Sequence, residues 1–512
     1  MDPETLLRES RAEGLLKPLA FKTEAGTTQF KAQLRQQTAN LGVLHRRQQT
    51  ILHLRKSLSS EEQVELEGLF AEVARIEPDL AVFFKRTEVE SESYEQLLFS
   101  GWPSLQVLNT IPFVLLALSI FKQYIVPALA VFTPLFMIIM PYFVLTYWYN
   151  MVLSPQQYGK IVLGVLGLQA IDLSNPRTIV QGAFTLVSLG NSIYQPIQSA
   201  LHLQTIHADL IAKARSAQRF VQICKQLETR MSPKIQSPLA DVEMEDEHRL
   251  FATFWDSPFR LRLALQFVGD CEVLYRLSTC DSLSPVQLVS CEGPCLTIVK
   301  GVDPFLSSSV PYTLRLAGSK HHAILTGPNR GGKSSVLRST LLTVVMAQAF
   351  GLGYCQEDGW VRLRPFDWIA TGLRLEDRPG TTSMFEREVE FAIQILKTAK
   401  QYPEKVGLVL FDELFHSTNP PDGARTAEIF LSKLWETPNT ASFISTHVFS
   451  LAKKAHSRIQ KLCVPAVQHS SGFLEFSYTL KEGICEVSSV DLILKEKGLL
   501  HAEKSTPENP VQ

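Results

Sequence analysis

The sequence offers no surplus positive charge to a polyanion: 50 lysines and arginines stand against 51 aspartates and glutamates over 512 residues. A general basic field is therefore excluded, and any nucleic-acid contact has to come from a local patch. Zinc-site spacing is lacking as well. The eight cysteines (224, 271, 280, 291, 295, 355, 463 and 485) are scattered, and the close pair Cys291 and Cys295 has no second pair to complete a tetrahedral set. They read as buried free thiols of a reducing compartment. Met1 to Ser10 lacks the basic start and apolar run of a secretory leader, so the expected start is on the cytosolic side. Internal repeats and low-complexity tracts are absent.

Charge also vanishes locally. From Leu97 to Gly159 the only charged side chain is Lys122, and Tyr124 to Tyr149 is an apolar stretch long enough to span a bilayer. A shorter apolar run, Val107 to Phe121, precedes it, and Lys122-Gln123 is expected to turn a hairpin between the two. Pro127, Pro134 and Pro141 would kink a soluble helix but are tolerated in a membrane helix. Tyr142, Tyr147, Trp148 and Tyr149 crowd one end like an interfacial belt. Residues 99–159 are thus expected to form a transmembrane helical hairpin, with lipid contact over 107–149. An even number of passes leaves both flanks on one side. Basic residues near the ends are too few to set the orientation or name the membrane. The rival reading is a buried hairpin, or an insertion docked on a partner.

The expected fold class is α + α/β. Residues 1–98 read as a first helical segment: Phe30 to Lys56 carries apolar residues at three- and four-residue steps, and Ser60 to Phe84 repeats the pattern after a capping start. Residues 160–296 read as a second, with one long helix around Ile193 to Leu227, a Ser-Pro-rich loop over 231–248 and a helix over Phe251 to Leu277. From 297 to 500 short apolar strands alternate with helices, and 501–512 reads as a disordered tail.

Two motifs in that last region carry chemistry. His322 to Thr326 is a strand candidate, and Gly327-Pro328-Asn329-Arg330-Gly331-Gly332-Lys333-Ser334 follows it and opens a helix, the context a P-loop needs. Glycines 327, 331 and 332 let successive N–H groups point at phosphates, and the helix N-terminus adds its dipole. Lys333 would pair with the β- and γ-phosphates of ATP, and Ser334 would ligate Mg²⁺. Gly407 to Glu413 is an apolar strand ending in two carboxylates, as a Walker B element requires. Asp412 is then the metal-side group and Glu413 the general base. A further strand, Ala441 to Ser445, ends at Thr446-His447. A histidine there can sense the γ-phosphate or hold the attacking water, or be structural.

Taken in order, these residues resemble the MutS family of mismatch-repair ATPases, a branch of the ABC-type fold. Thr326 to Ser335 is similar to the family's TGPNMGGKST, with Arg330 for methionine. Asp412 to Gly423 resembles DEIGRGTSTYDG, with Phe415 and His416 where the family has glycine and arginine. Ser383 to Leu396 is similar to STFMVEMTETANIL, and Ser445 to Leu451 to the ATHYFEL switch. Thr23 to Gln49 and Leu261 to Pro304 resemble the start and end of the family's helical lever.

The resemblance implies an ABC-type P-loop ATPase domain over 297–500, a dimer formed through these domains, and Ser383 reaching the γ-phosphate of the opposite protomer. It implies that Tyr312 stacks on adenine and that Ser335 belongs to the ATP site. Duplex or branched DNA is an implied partner. Counterparts of the family's mismatch-reading and connector domains are not expected in this sequence, and the apolar hairpin is expected to stand where the family has its DNA clamp. The expectation is a membrane-tethered ATPase with its catalytic domain on the cytosolic side. The alternatives are a membrane ATPase, or an ATP-binding scaffold, with no nucleic-acid role.

Overall fold

The structure, a computed structural model, describes residues 3–99, 103–166, 176–231, 237–242, 246–373, 383–468, 474–487 and 494. The chain divides into two compact units, one made of Met1–Val64 with Gly269–Gln512, the other of Glu65–Val268. The expected boundary after residue 98 falls inside the second unit. Leu7, Leu15, Phe30 and Leu34 share one apolar cluster with Leu341, Val345, Leu408 and Phe443, so the first 64 residues help to build the α/β core. The expected tail, 501–512, lies outside the described residues.

Polar side chains fasten this N-terminal layer. Thr23 caps the helix Glu24–Arg35 by accepting from the Gly26 amide, and Phe30 stacks on Phe350 with ring centroids 5.7 Å apart. The periodic stretch 30–56 is interrupted at Gln36–Asn40, after which Asn40 caps the helix Leu41–Ser57. From that helix the Gln48 amide donates to the carbonyls of Val286 and Gly351 at 2.8 and 2.6 Å. Arg55 reaches four carbonyls, those of Leu277, Ser278, Cys280 and Leu283, at 2.8–3.1 Å. Three of them close the helix Pro258–Thr279, where orphan carbonyls favour a cation.

The α/β core holds two main sheets. Strands β1 (Leu283–Leu288), β2 (Cys295–Gly301), β3 (Tyr312–Ala317) and β5 (Leu352–Leu363) form one in the order β1-β5-β2-β3. The first strand thus lies ahead of the expected start at 297. The second sheet orders β12 (Lys481–Glu482), β9 (Gln460–Cys463), β4 (His322–Thr326), β8 (Thr440–Ser445), β7 (Gly407–Phe411) and β6 (Trp368–Gly372). Its strands β9, β4, β8, β7 and β6 are parallel, with β12 antiparallel at the edge. Every residue of β4, β7 and β8 is buried, as expected of central parallel strands covered on both faces. The helix Lys333–Phe350 packs its apolar residues into the same core.

The second unit is helical. The apolar segment forms one continuous helix, Pro112–Trp148, of 37 residues, whose most apolar 18-residue window has mean hydropathy 2.2 and no buried residue. The expected turn at Lys122-Gln123 is corrected: Phe121–Ile125 is a π-helical turn inside that helix. A widened turn there spares the carbonyl four residues before Pro127 from the proline ring. The chain reverses instead after Tyr149. Ser154 caps a helix Pro155–Val165 with a capping box, and the Tyr158 hydroxyl donates back to the Ile138 carbonyl at 2.6 Å. The long helix Pro176–Met231 then runs 56 residues, about 84 Å at 1.5 Å per residue. Its first half exposes Ile179, Phe184, Val187, Ile193 and Ile197, while its second half buries Leu210, Phe220, Ile223 and Leu227.

Part of the expected loop 231–248 lies outside the described residues. Asp246 caps a helix Glu247–Asp256, and Ser257-Pro258 breaks the helix expected over 251–277 into two. Phe83, Tyr94, Phe251 and Trp255 form an aromatic cluster, with the Arg86 guanidinium 3.9 Å above the Trp255 ring.

Candidate active site

Strands β4, β8 and β7 are neighbours, so their C-terminal ends open side by side, the place where parallel sheets present ligand sites. β4 runs into the P-loop. Gly327 has φ +153°, and a Cβ there would stand 2.8 Å from the Val464 carbonyl, so the backbone passes too closely for any other residue. Gly332, at φ +96°, is the N-cap of the helix Lys333–Phe350. The Lys333 ammonium is buried and donates to the carbonyls of Gly327 and Pro328 at 2.9 and 3.1 Å. Burial lowers its pKa, while the charges of Glu413 and Asp412 act in the opposite sense.

β7 delivers Asp412 and Glu413, and β8 delivers Ser445, Thr446 and His447. Ser445 ties the two ends together: its hydroxyl donates to Asp412 Oδ1 and accepts the Glu413 amide, the latter at 3.1 Å. His447 Nε2 donates to Glu413 Oε1 at 3.0 Å. Glu413 has φ +53°, a left-handed backbone that costs roughly 1–2 kcal/mol for a residue with a Cβ. The bond from His447 holds the Glu413 carboxyl below the usual glutamate range, against the opposing effect of burial, with help from the charges of His447, Lys333 and His416.

The residues fit ATP with Mg²⁺. Ser334 and Asp412 offer the oxygen donors that Mg²⁺ prefers, and among the described residues no group of three or more His, Cys, Asp or Glu side chains forms a metal site. Such a set suits an ion carried in with phosphates and water. All eight cysteines are free thiols.

Beside the P-loop lies an open pocket of about 600 Å³ lined by Asp303, Val310, Tyr312, Arg330, Ser335 and Tyr478. Tyr312 is only 3% exposed, and its hydroxyl meets Ser339 and Thr340 at 3.3 and 3.2 Å inside the core. Burial pushes its pKa up to about 12. Tyr312 thus lines this pocket with little of its ring exposed. The exposed ring on this pocket is that of Tyr478, which stands 3.4 Å from where a Cβ on Gly332 would lie. Nothing around Leu474 to Leu480 signals this in the sequence.

Ser383 is exposed and caps the helix Met384–Gln401 in a capping box with Glu386. A smaller pocket of about 220 Å³ adjoins the acidic pair and is lined by Gly372, Glu388, Phe411, Asp412, Glu413 and His416. Glu388 and Ser445 were not among the residues the sequence pointed to. Ser445 could have been, since it directly precedes Thr446-His447.

These features define an α/β domain with a glycine-rich loop, an acidic pair and a histidine on adjoining strand ends. Residues 323–495 match the family model MutS domain V. The chain is 30% identical over 187 residues to the DNA mismatch repair protein MutS of Shouchella clausii, covering 35% of this chain and 20% of that protein. It is 32% identical over 179 residues to the DNA mismatch repair protein Msh6 of Gallus gallus, covering 34% and 13%. To MSH6 of Arabidopsis thaliana it is 26% identical over 242 residues, covering 44% and 17%. The chain spans a fifth or less of the length of each of these relatives.

Proposed function

We propose that this chain binds and hydrolyses ATP as a dimer, tethered to a membrane through its apolar helices. The observation that carries the catalytic part is the meeting of Lys333, Asp412, Glu413 and His447 at three adjoining strand ends. In this reading Lys333 leaves the carbonyls of Gly327 and Pro328 for the β- and γ-phosphates, which compensate its buried charge better than two neutral acceptors do. The amides of residues 329–335 and the helix dipole hold the phosphate oxygens. Mg²⁺, held by Ser334 and Asp412, supplies charge neutralisation on the phosphates. Glu413, kept ionised by His447, accepts the proton of the attacking water.

The likeness of Ser383–Leu396 to the family's trans segment supports Ser383 as the contact from the second protomer. Its exposure at a helix N-terminus suits that role, since the terminus favours an anion. The pocket beside the P-loop would take the base, with Tyr478 as its aromatic face.

The apolar helix Pro112–Trp148 supports the tether. A core helix of this composition would be buried, whereas the most apolar stretch of this one buries no residue. The exposed first half of Pro176–Met231 supplies a second limb, which returns the chain to the side it left, with the ATPase domain cytosolic. DNA binding rests on the named relatives and on no charge surplus in this chain. One experiment addresses the partner: ATPase activity of the detergent-solubilised chain with and without duplex, mismatched and branched DNA. Stimulation by any of them supports a DNA role, and identical rates with all of them remove it.

A further inference from the structure

The two departures from the family pattern after the acidic pair, Phe415 and His416, both face the helix Met384–Gln401. Phe415 has φ +53°, where a glycine would be unstrained, and is 3% exposed. Its ring lies edge-on to Phe385 at 6.3 Å and to Phe430 at 6.1 Å. Ser417, one residue beyond His416, donates to Glu388 Oε2 at 2.7 Å. His416 Nδ1 donates to the Glu413 carbonyl at 2.9 Å and lies 3.2 Å from Glu388 Oε1.

Glu388 itself is fully buried, and a carboxylate so placed is costly unless matched. Its Oε1 makes no hydrogen bond among the described residues and borders the small pocket that Asp412 and Glu413 line. A helix position with no need for a carboxylate would carry an apolar side chain here, as its neighbours Ala392 and Ile395 do. One of its oxygens accepts from Ser417 and the other lies beside His416, two successive residues of the loop that follows the general base.

We propose that Glu388 is a positioning residue for hydrolysis. Through Ser417 and His416 it fixes the loop Leu414–Thr418, and through the carbonyl of Glu413 it holds the strained backbone that aims the Glu413 carboxylate. The same helix begins at Ser383, so the grip also ties the general base to the segment read as facing the second protomer. This inference rests on the ATP-hydrolysis reading.

The test uses the whole chain in detergent and measures kcat and ATP affinity for the wild type, Lys333→Ala, Glu388→Ala, Glu388→Gln, Glu413→Gln and the double variant Glu388→Ala/Glu413→Gln. Glu388→Ala is expected to lower kcat by about 10- to 100-fold, the scale of a misplacement of about 1 Å, while ATP affinity stays within about twofold. Glu388→Gln keeps the shape and an acceptor for Ser417, so it guards against a folding failure; its kcat should fall less, and its affinity should also hold. In the Glu413→Gln background Glu388→Ala should cost nothing further, because the group it positions is gone. Equal kcat in the wild type and both Glu388 variants overturns the inference, as do losses that multiply in the double variant. A wild-type rate no higher than that of Lys333→Ala instead overturns the hydrolysis reading, and the inference with it.

Discussion

Glu413 and His447 join two strand ends by a single hydrogen bond of 3.0 Å, from Nε2 to Oε1. Each follows a different strand, and the Ser445 hydroxyl fastens the same two ends through the Asp412 carboxylate and the Glu413 amide. Groups at the end of β8 thus help to aim the carboxylate that β7 delivers, and the consequences can be measured.

Removing the base while keeping its shape should separate binding from turnover. Glu413→Gln is expected to lower kcat by about 10²- to 10⁴-fold, the usual scale of general-base catalysis, with ATP still bound. His447→Ala should cost less, because the carboxylate remains. Single-turnover hydrolysis with a parallel binding titration reads both.

The two tyrosines of the base pocket should behave oppositely. Tyr478→Ala is expected to weaken ATP binding by roughly 1–3 kcal/mol, as loss of a stacking ring does. Tyr312→Phe should leave affinity unchanged and cost about 1 kcal/mol of stability, from the hydroxyl contacts with Ser339 and Thr340. Nucleotide titration and urea unfolding distinguish the two.

Membrane attachment predicts that the chain stays with vesicles after alkaline carbonate extraction. Leu129→Lys, Phe136→Lys and Met137→Lys together place three charges on outward positions of the apolar helix and should abolish stable insertion. Recovery of wild type in the supernatant would refute the tether.

The second unit offers a pH test. Arg219 meets both carboxylate oxygens of Glu72 at 2.6 and 2.7 Å, and this hydrogen bonding holds the Glu72 carboxyl below its ordinary value of 4.5. A depressed carboxyl contributes stability that is full above that ordinary value and lost as pH falls through the lower, folded one. Both groups are about one-third exposed or more, so the pair is worth no more than about 1 kcal/mol. Arg219→Ala should be slightly less stable than wild type at neutral pH, with the gap closing on acidification below 4.5. Denaturant midpoints against pH check the sign.

The sequence made the P-loop and the acidic pair legible because their chemistry is local: glycines, a lysine and two carboxylates at fixed steps after a strand. It could not announce Tyr478, which is brought to the P-loop by the path of the chain after β11 (Leu474–Phe476). An aromatic residue at a strand start, such as Tyr312, reads the same whether its ring faces a ligand or the core. The hairpin turn was misplaced for a related reason. A lone Lys122 looks like an exit from an apolar run, yet its ammonium turns back to the Gln96 carbonyl and the helix continues through a π-turn. The boundary near residue 64 was hidden because Phe30 and Leu34 show helical periodicity without revealing which core they enter.

The most direct measurement is steady-state ATP hydrolysis by the solubilised chain, wild type against Lys333→Ala. Mg²⁺-dependent turnover is expected in the wild type, falling by about 100-fold or more in Lys333→Ala together with nucleotide binding. Equal rates and equal ATP affinity in the two proteins would contradict ATP hydrolysis at this site.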